Sequence, residues 1–128
     1  MNLKLAAIVF GVVFLVVGIL GFVPNLAPDG MLLGIFHVNF AHNVVHLLSG
    51  AVALLCGMAS TNASQLYFRI FGVVYGLVAV LGFVMGEGKL LGLISNNIAD
   101  AWLHLVIAAT SLVLGFAVPQ RVLHSQLR

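Results

Sequence analysis

Charge is what this chain most lacks. Of its 128 residues only 6% are charged, five of them basic and three acidic, where a soluble domain carries about 25%. So few charges cannot coat a water-exposed surface, and 62% of the residues are hydrophobic. Soluble nucleic-acid modules and disordered tails are thereby excluded. Cysteine is almost missing as well. The single Cys56 has no second Cys for an internal disulfide or a thiolate metal site, which excludes secreted disulfide scaffolds. No phosphate-binding loop, nucleophilic triad or zinc-protease motif is present, so nothing in the sequence supports an enzyme.

What the chain has instead is apolar runs of membrane-spanning length. Leu5 to Val23 is one uninterrupted stretch, matched at about 1.5 Å per residue to a hydrocarbon core of about 30 Å. A second stretch begins between Gly34 and Asn39 and runs to Gly57. A third covers about Leu66 to Met85, and a fourth about Asn97 to Val118, where Pro119 stops it. The connections Pro24 to Asp29, Met58 to Gln65 and Gly86 to Gly88 carry turn residues. The expectation is an all-α fold, a four-transmembrane-helix bundle forming one integral membrane domain over 1–128. A secretory-signal reading of the first run is opposed by its length and by prolines around its only candidate cleavage site.

An even number of spans puts both termini on one side of the membrane. Lys4, Arg69, Arg121 and Arg128 then share one face, and Asp29, Glu87 and Lys89 the other. The positive-inside rule makes the first face cytoplasmic, so both termini are expected in the cytoplasm. On this reading the pI near 9.1 reflects topology and not a nucleic-acid patch.

The chain also contains a copy of itself. Phe10 to Val23 aligns with Phe71 to Val84 at nine of fourteen positions. Gly30 to Gly57 aligns without a gap on Gly88 to Gly115, matching Leu32-Leu33-Gly34 to Leu90-Leu91-Gly92, Asn39 to Asn97 and His46-Leu47 to His104-Leu105. Two tandem two-helix repeats follow, about 5–57 and 66–118. Each holds an even number of spans, so their natural relation is a pseudo-two-fold axis along the membrane normal. Gly72 with Gly76, and the row Ser49, Ala53, Gly57, offer small surfaces for close helix packing.

One polar stripe interrupts the apolar runs. Asn39, His42, Asn43, His46 and Ser49 recur every three or four residues and share a helix face, and Asn97, Asp100, His104 and Ser111 repeat it in the fourth span. Ionisable groups facing lipid cost several kcal/mol, so both faces are expected to turn inward. His42 and His46 opposite Asp100 and His104 make a three-His, one-carboxylate set of the kind that binds a divalent transition metal, with Asn39, Asn43 and Asn97 in support. Alternatively His46 and His104 alone serve as axial ligands of a haem held between the spans. In a third reading the stripe carries protons or a small solute.

The structural alternative uses the same residues. Asn39 and Asn97 become helix N-caps, Asp100 completes a capping box, and the histidines hydrogen-bond across helices, as in a structural or accessory subunit of a larger membrane complex or a homo-oligomer. His37 is expected as an interfacial anchor, His124 as solvated, and Trp102 and Tyr67 as interface aromatics.

The most specific pieces are G-F-V-P at Gly21 to Pro24, H-N-V-V-H-L at His42 to Leu47, and N-I-A-D-A-W-L-H-L at Asn97 to Leu105. With the longer paired motifs from Leu32 to Gly50 and from Leu90 to Leu105, they resemble a bacterial family of small four-span membrane proteins catalogued only as a domain of unknown function. The resemblance covers nearly the whole chain and implies the four-span architecture and a bacterial inner-membrane location without implying an activity. The functional expectation therefore rests on the residues: a small integral membrane protein binding a transition metal or haem in a His/Asp cavity.

Overall fold

The structure is a computed structural model that describes residues 2–118. Pro119, Arg121, His124 and Arg128 lie outside the described residues. Four α-helices dominate: α1 (Leu3–Leu20), α2 (Phe40–Ala59), α3 (Thr61–Met85) and α4 (Ile98–Leu112), the last prolonged by a π-helical turn over Val113–Ala117. Counting that turn with α4, all four are long and apolar enough to cross a membrane. The expected all-α four-helix architecture is what the chain adopts.

Two features of the connections were not expected. Before α2 and before α4 the chain forms small antiparallel hairpins, β1 (Met31–Leu32) with β2 (Phe36–His37), and β3 (Gly88–Leu90) with β4 (Ile94–Asn96). Each turns through a leucine and a glycine at positive φ, Leu33 (54°) and Gly34 (71°) in one, Leu91 (53°) and Gly92 (72°) in the other. Two successive positive φ values suit a tight hairpin reversal, and a leucine there costs about 1–2 kcal/mol. The second correction concerns the segment 58–65, expected to be a loop. Helix continues to Ala59 and resumes at Thr61, because Ser60 serves both ends. Its N–H donates to the Cys56 carbonyl at 3.2 Å, and its hydroxyl accepts from Ala63 N at 3.0 Å.

Helix α1 ends three residues earlier than the apolar run. Pro24 disfavours helical geometry at Val23, and the last residues tighten, with Phe22 N donating to Ile19 O and Val23 N to Leu20 O.

Within each repeat the two helices touch backbone to backbone. A Cβ on Gly11 would lie 2.7 Å from Gly50 O, and one on Gly50 only 2.8 Å from Gly11 O. The second repeat does the same at the equivalent Gly72, where a Cβ would lie 3.0 Å from Leu112 N. Ser49, Ala53 and Gly57 are all buried, as a small-residue row requires. Gly76 is different: a Cβ there meets only Ala108, at an ordinary 3.8 Å.

Aromatic rings fill the interior between the helix pairs. Phe10 stacks on Phe14 at 5.0 Å, Tyr67 on Phe71 at 4.2 Å, and Phe14 meets Tyr75 edge-on at 5.6 Å. Tyr67 therefore belongs to the core and not to an interface. It is 3% exposed, and its hydroxyl donates to Ser49 O at 2.9 Å. Trp102 remains on the surface, edge-on to Phe83. Arg69, half-buried, donates from Nε to Gly115 O at 2.7 Å and lies over the Phe116 ring, supplying a donor where the π turn leaves carbonyls short of partners.

Candidate metal centre

The hairpins decide where the polar stripe begins. Asn39 and Asn97 each close a hairpin and open a helix. The Asn39 carboxamide oxygen accepts from His42 N at 2.9 Å, and that of Asn97 accepts from Asp100 N at 2.9 Å. Asp100 returns the bond, its Oδ2 accepting from Asn97 N at 3.0 Å, so α4 starts with a full capping box. The same oxygen accepts from His37 N, in β2 of the other repeat, at 3.1 Å. The N-cap reading of Asn39, Asn97 and Asp100 thus describes what these three side chains do.

The histidines behave otherwise. His42, His46 and His104 are all at least nine-tenths buried, and one ring nitrogen from each lies within 4.8 Å of one from each of the others. Their ring centroids are 4.5 Å apart for His42–His46, 5.5 Å for His42–His104 and 6.1 Å for His46–His104. They are not bonded to one another or to neighbouring helices. His42 Nε2, both nitrogens of His46 and Nδ1 of His104 are buried without a hydrogen-bond partner. Left unpaired, each such group costs about 1–3 kcal/mol.

His42 is the exception at one atom. Its Nδ1 lies 2.8 Å from Ser95 O and 3.1 Å from His37 O. Both are carbonyls, so Nδ1 carries the proton and Nε2 carries the lone pair. A ring nitrogen tied by N–H to a backbone carbonyl, with the other left free, is the usual outer support of a metal-binding histidine.

Below the cluster, Phe14 packs edge-on against His46 and Tyr75 against His104, each at 5.6 Å. Tyr75 OH pairs with Ser49 Oγ at 2.8 Å. A cavity of about 110 Å³ is lined by the three histidines, Ser49 and Tyr75, among others. A larger groove of about 570 Å³ runs between α1 and α4, lined mostly by apolar side chains and touching His46 alone of the three.

Of the residues expected at the site, the fold brings His42, His46 and His104 together. Asp100 is within the same polar layer but is occupied by His37 N and Asn97 N. Asn43 is buried with its Oδ1 unpaired, packed so close that a Cβ on Gly21 would overlap its carboxamide. Tyr75, Ser95 and the His37 backbone were not anticipated. Tyr75 follows Tyr67 and Phe71 at helical spacing, the one signal that could have marked it.

Residues 4–117 match the model of the family described as Domain of unknown function (DUF4383), and the chain belongs to that family. No curated protein and no solved structure matches it.

Proposed function

We propose, for a member of a family with no assigned activity, that this is an integral membrane protein holding a divalent transition metal on His42, His46 and His104. The observation that carries the reading is the set of three buried imidazoles that each bring one nitrogen within 4.8 Å of the others, with His42 Nε2, both nitrogens of His46 and His104 Nδ1 left without partners. A ligating nitrogen sits about 2.0–2.1 Å from zinc, which spaces tetrahedral ligands about 3.3 Å apart. Binding would draw the three nitrogens, which lie within 4.8 Å of one another, together to that spacing. An all-imidazole set suits zinc, copper, nickel or iron, and three ligands leave a fourth position open, as in sites that bind exchangeable water.

Volume favours a metal ion over haem. The 110 Å³ cavity holds about three or four waters at roughly 30 Å³ each, far less than a macrocycle. The large groove reaches His46 without His104, so it offers no second axial ligand. The unpaired imidazoles also weigh against a purely structural role in a larger complex, since interhelical bonding would have given them partners. A proton or solute path gains nothing specific from this arrangement.

We further propose a bacterial inner-membrane location, from the family resemblance, with the Lys4 and Arg69 end cytoplasmic, from the positive-inside rule. Fusions of reporters to the loop between α3 and α4 test that orientation.

The function is tested by metal analysis and a visible spectrum of gently solubilised protein, wild type and His46→Ala with His104→Ala. Stoichiometric metal lost in the double variant supports the reading. A Soret band selects haem instead. Neither signal, after reconstitution with zinc, copper, nickel and iron and with haemin, removes both and returns the protein to a structural role, checked by co-purification with membrane partners.

A further inference from the structure

We infer that Asp100 is a positioning residue for the His42 ligand, acting across the two repeats through the peptide group of His37, and is not itself a ligand. The inference rests on the metal reading above and gives it a supporting shell. The path has two bonds. Asp100 Oδ2, from the first turn of α4, accepts from His37 N at 3.1 Å. The carbonyl of that same residue accepts from His42 Nδ1 at 3.1 Å, beside the 2.8 Å bond from Nδ1 to Ser95 O. The His42 ring is therefore gripped by one carbonyl from each hairpin, and the hairpin strand that carries the first is anchored by Asp100.

This grip does two things. Two acceptors at Nδ1 hold the proton there and leave Nε2, which is buried without a partner, as the lone-pair atom. They also fix the ring's rotation, so one imidazole of the three is held before any ion arrives. Asp100 is 1% exposed, and its Oδ2 already takes two N–H donors, so acting as a ligand through that oxygen would dismantle its own helix cap. Residues supporting a metal-bound histidine typically change affinity 10- to 100-fold when removed.

The distinguishing experiment compares Asp100→Asn with Asp100→Ala. Asparagine keeps one acceptor oxygen for His37 N but is a poor metal ligand; alanine keeps neither property. Co(II) titration followed by visible absorption should give affinity within about threefold of wild type for Asp100→Asn with an unchanged spectrum, and a 10- to 100-fold loss for Asp100→Ala. In metal-free protein, ¹⁵N shifts of His42 should report one tautomer, protonated at Nδ1, in wild type and Asp100→Asn, and a mixture in Asp100→Ala. Equal loss of Co(II) in both variants with an altered spectrum would make Asp100 a ligand and overturn the inference. So would an Asp100→Ala protein with unchanged affinity and tautomer. If Asp100→Ala does not fold, Asp100→Asn alone still separates ligand from positioning residue. If wild type binds no Co(II), the metal reading fails while the tautomer comparison still decides what Asp100 does to His42.

Discussion

Asn39 and Asn97 each hold the other's hairpin. Asn39 Nδ2 donates to Leu93 O at 2.8 Å, and Asn97 Nδ2 donates to Ile35 O at 2.9 Å. The two donors are 58 residues apart in the sequence, and so are the two acceptors, so equivalent side chains exchange equivalent bonds between the repeats. Each asparagine also caps its own helix through Oδ1. One side chain thus starts a helix and fastens it to the opposite repeat, which ties the histidine-bearing turns of α2 and α4 to each other.

Separating those two jobs is straightforward. Asn39→Asp keeps the cap oxygen and loses the donor to Leu93 O, so it should cost about 1 kcal/mol; Asn39→Ala loses both and should cost about 2–3 kcal/mol. Denaturation in mixed micelles measures both; an Asn39→Asp protein as stable as wild type would show that the crossing bond contributes nothing, and equal costs for the two variants would show the same of the cap.

The glycines divide sharply. Gly11→Ala, Gly50→Ala and Gly72→Ala push a methyl to within about 3 Å of neighbouring backbone and should destabilise by about 1–3 kcal/mol each. Gly76→Ala has room and should stabilise by up to about 1 kcal/mol through helix propensity. The same denaturation assay checks the sign, and a destabilised Gly76→Ala would restore the paired Gly72/Gly76 contact expected from their spacing.

His46 carries two buried unpartnered nitrogens, so removing it should not harm the metal-free fold. His46→Leu should raise the stability of metal-free protein by about 1 kcal/mol or leave it unchanged, and should abolish the stabilisation gained on adding metal. Melting curves with and without zinc read both effects. A clear loss of metal-free stability would mean the imidazole is already satisfied in the fold.

Tyr67 makes a comparable test of the core. Tyr67→Phe removes only the hydroxyl that donates to Ser49 O and should cost about 1 kcal/mol. An interfacial tyrosine would lose almost nothing in the same melt.

The parts of this fold legible from sequence are those set by long-range repetition. Four apolar runs fix four helices, and the offset between Asn39 and Asn97 or His46 and His104 pairs their positions. The hairpins escaped because β1 to β4 are two or three residues each, too short for alternation to register, and because their turns place leucine at positive φ, where residue preference gives no warning. The site split for the same reason. His42, His46 and His104 share helix faces that periodicity reveals. Asp100 shares that face too, yet its carboxylate answers to the backbone of His37, in a two-residue strand that no periodicity locates. The stripe divides between two arrangements: the asparagines and Asp100 cap their helices, while His42, His46 and His104 converge.

The most direct test of the central claim is X-ray absorption at the zinc edge on protein reconstituted with one equivalent of zinc. The three-histidine centre predicts a shell at about 2.0–2.1 Å with the outer scattering of three imidazoles, falling to two in His104→Ala. A shell of oxygen without imidazole scattering, or a spectrum unchanged in His104→Ala, would contradict it.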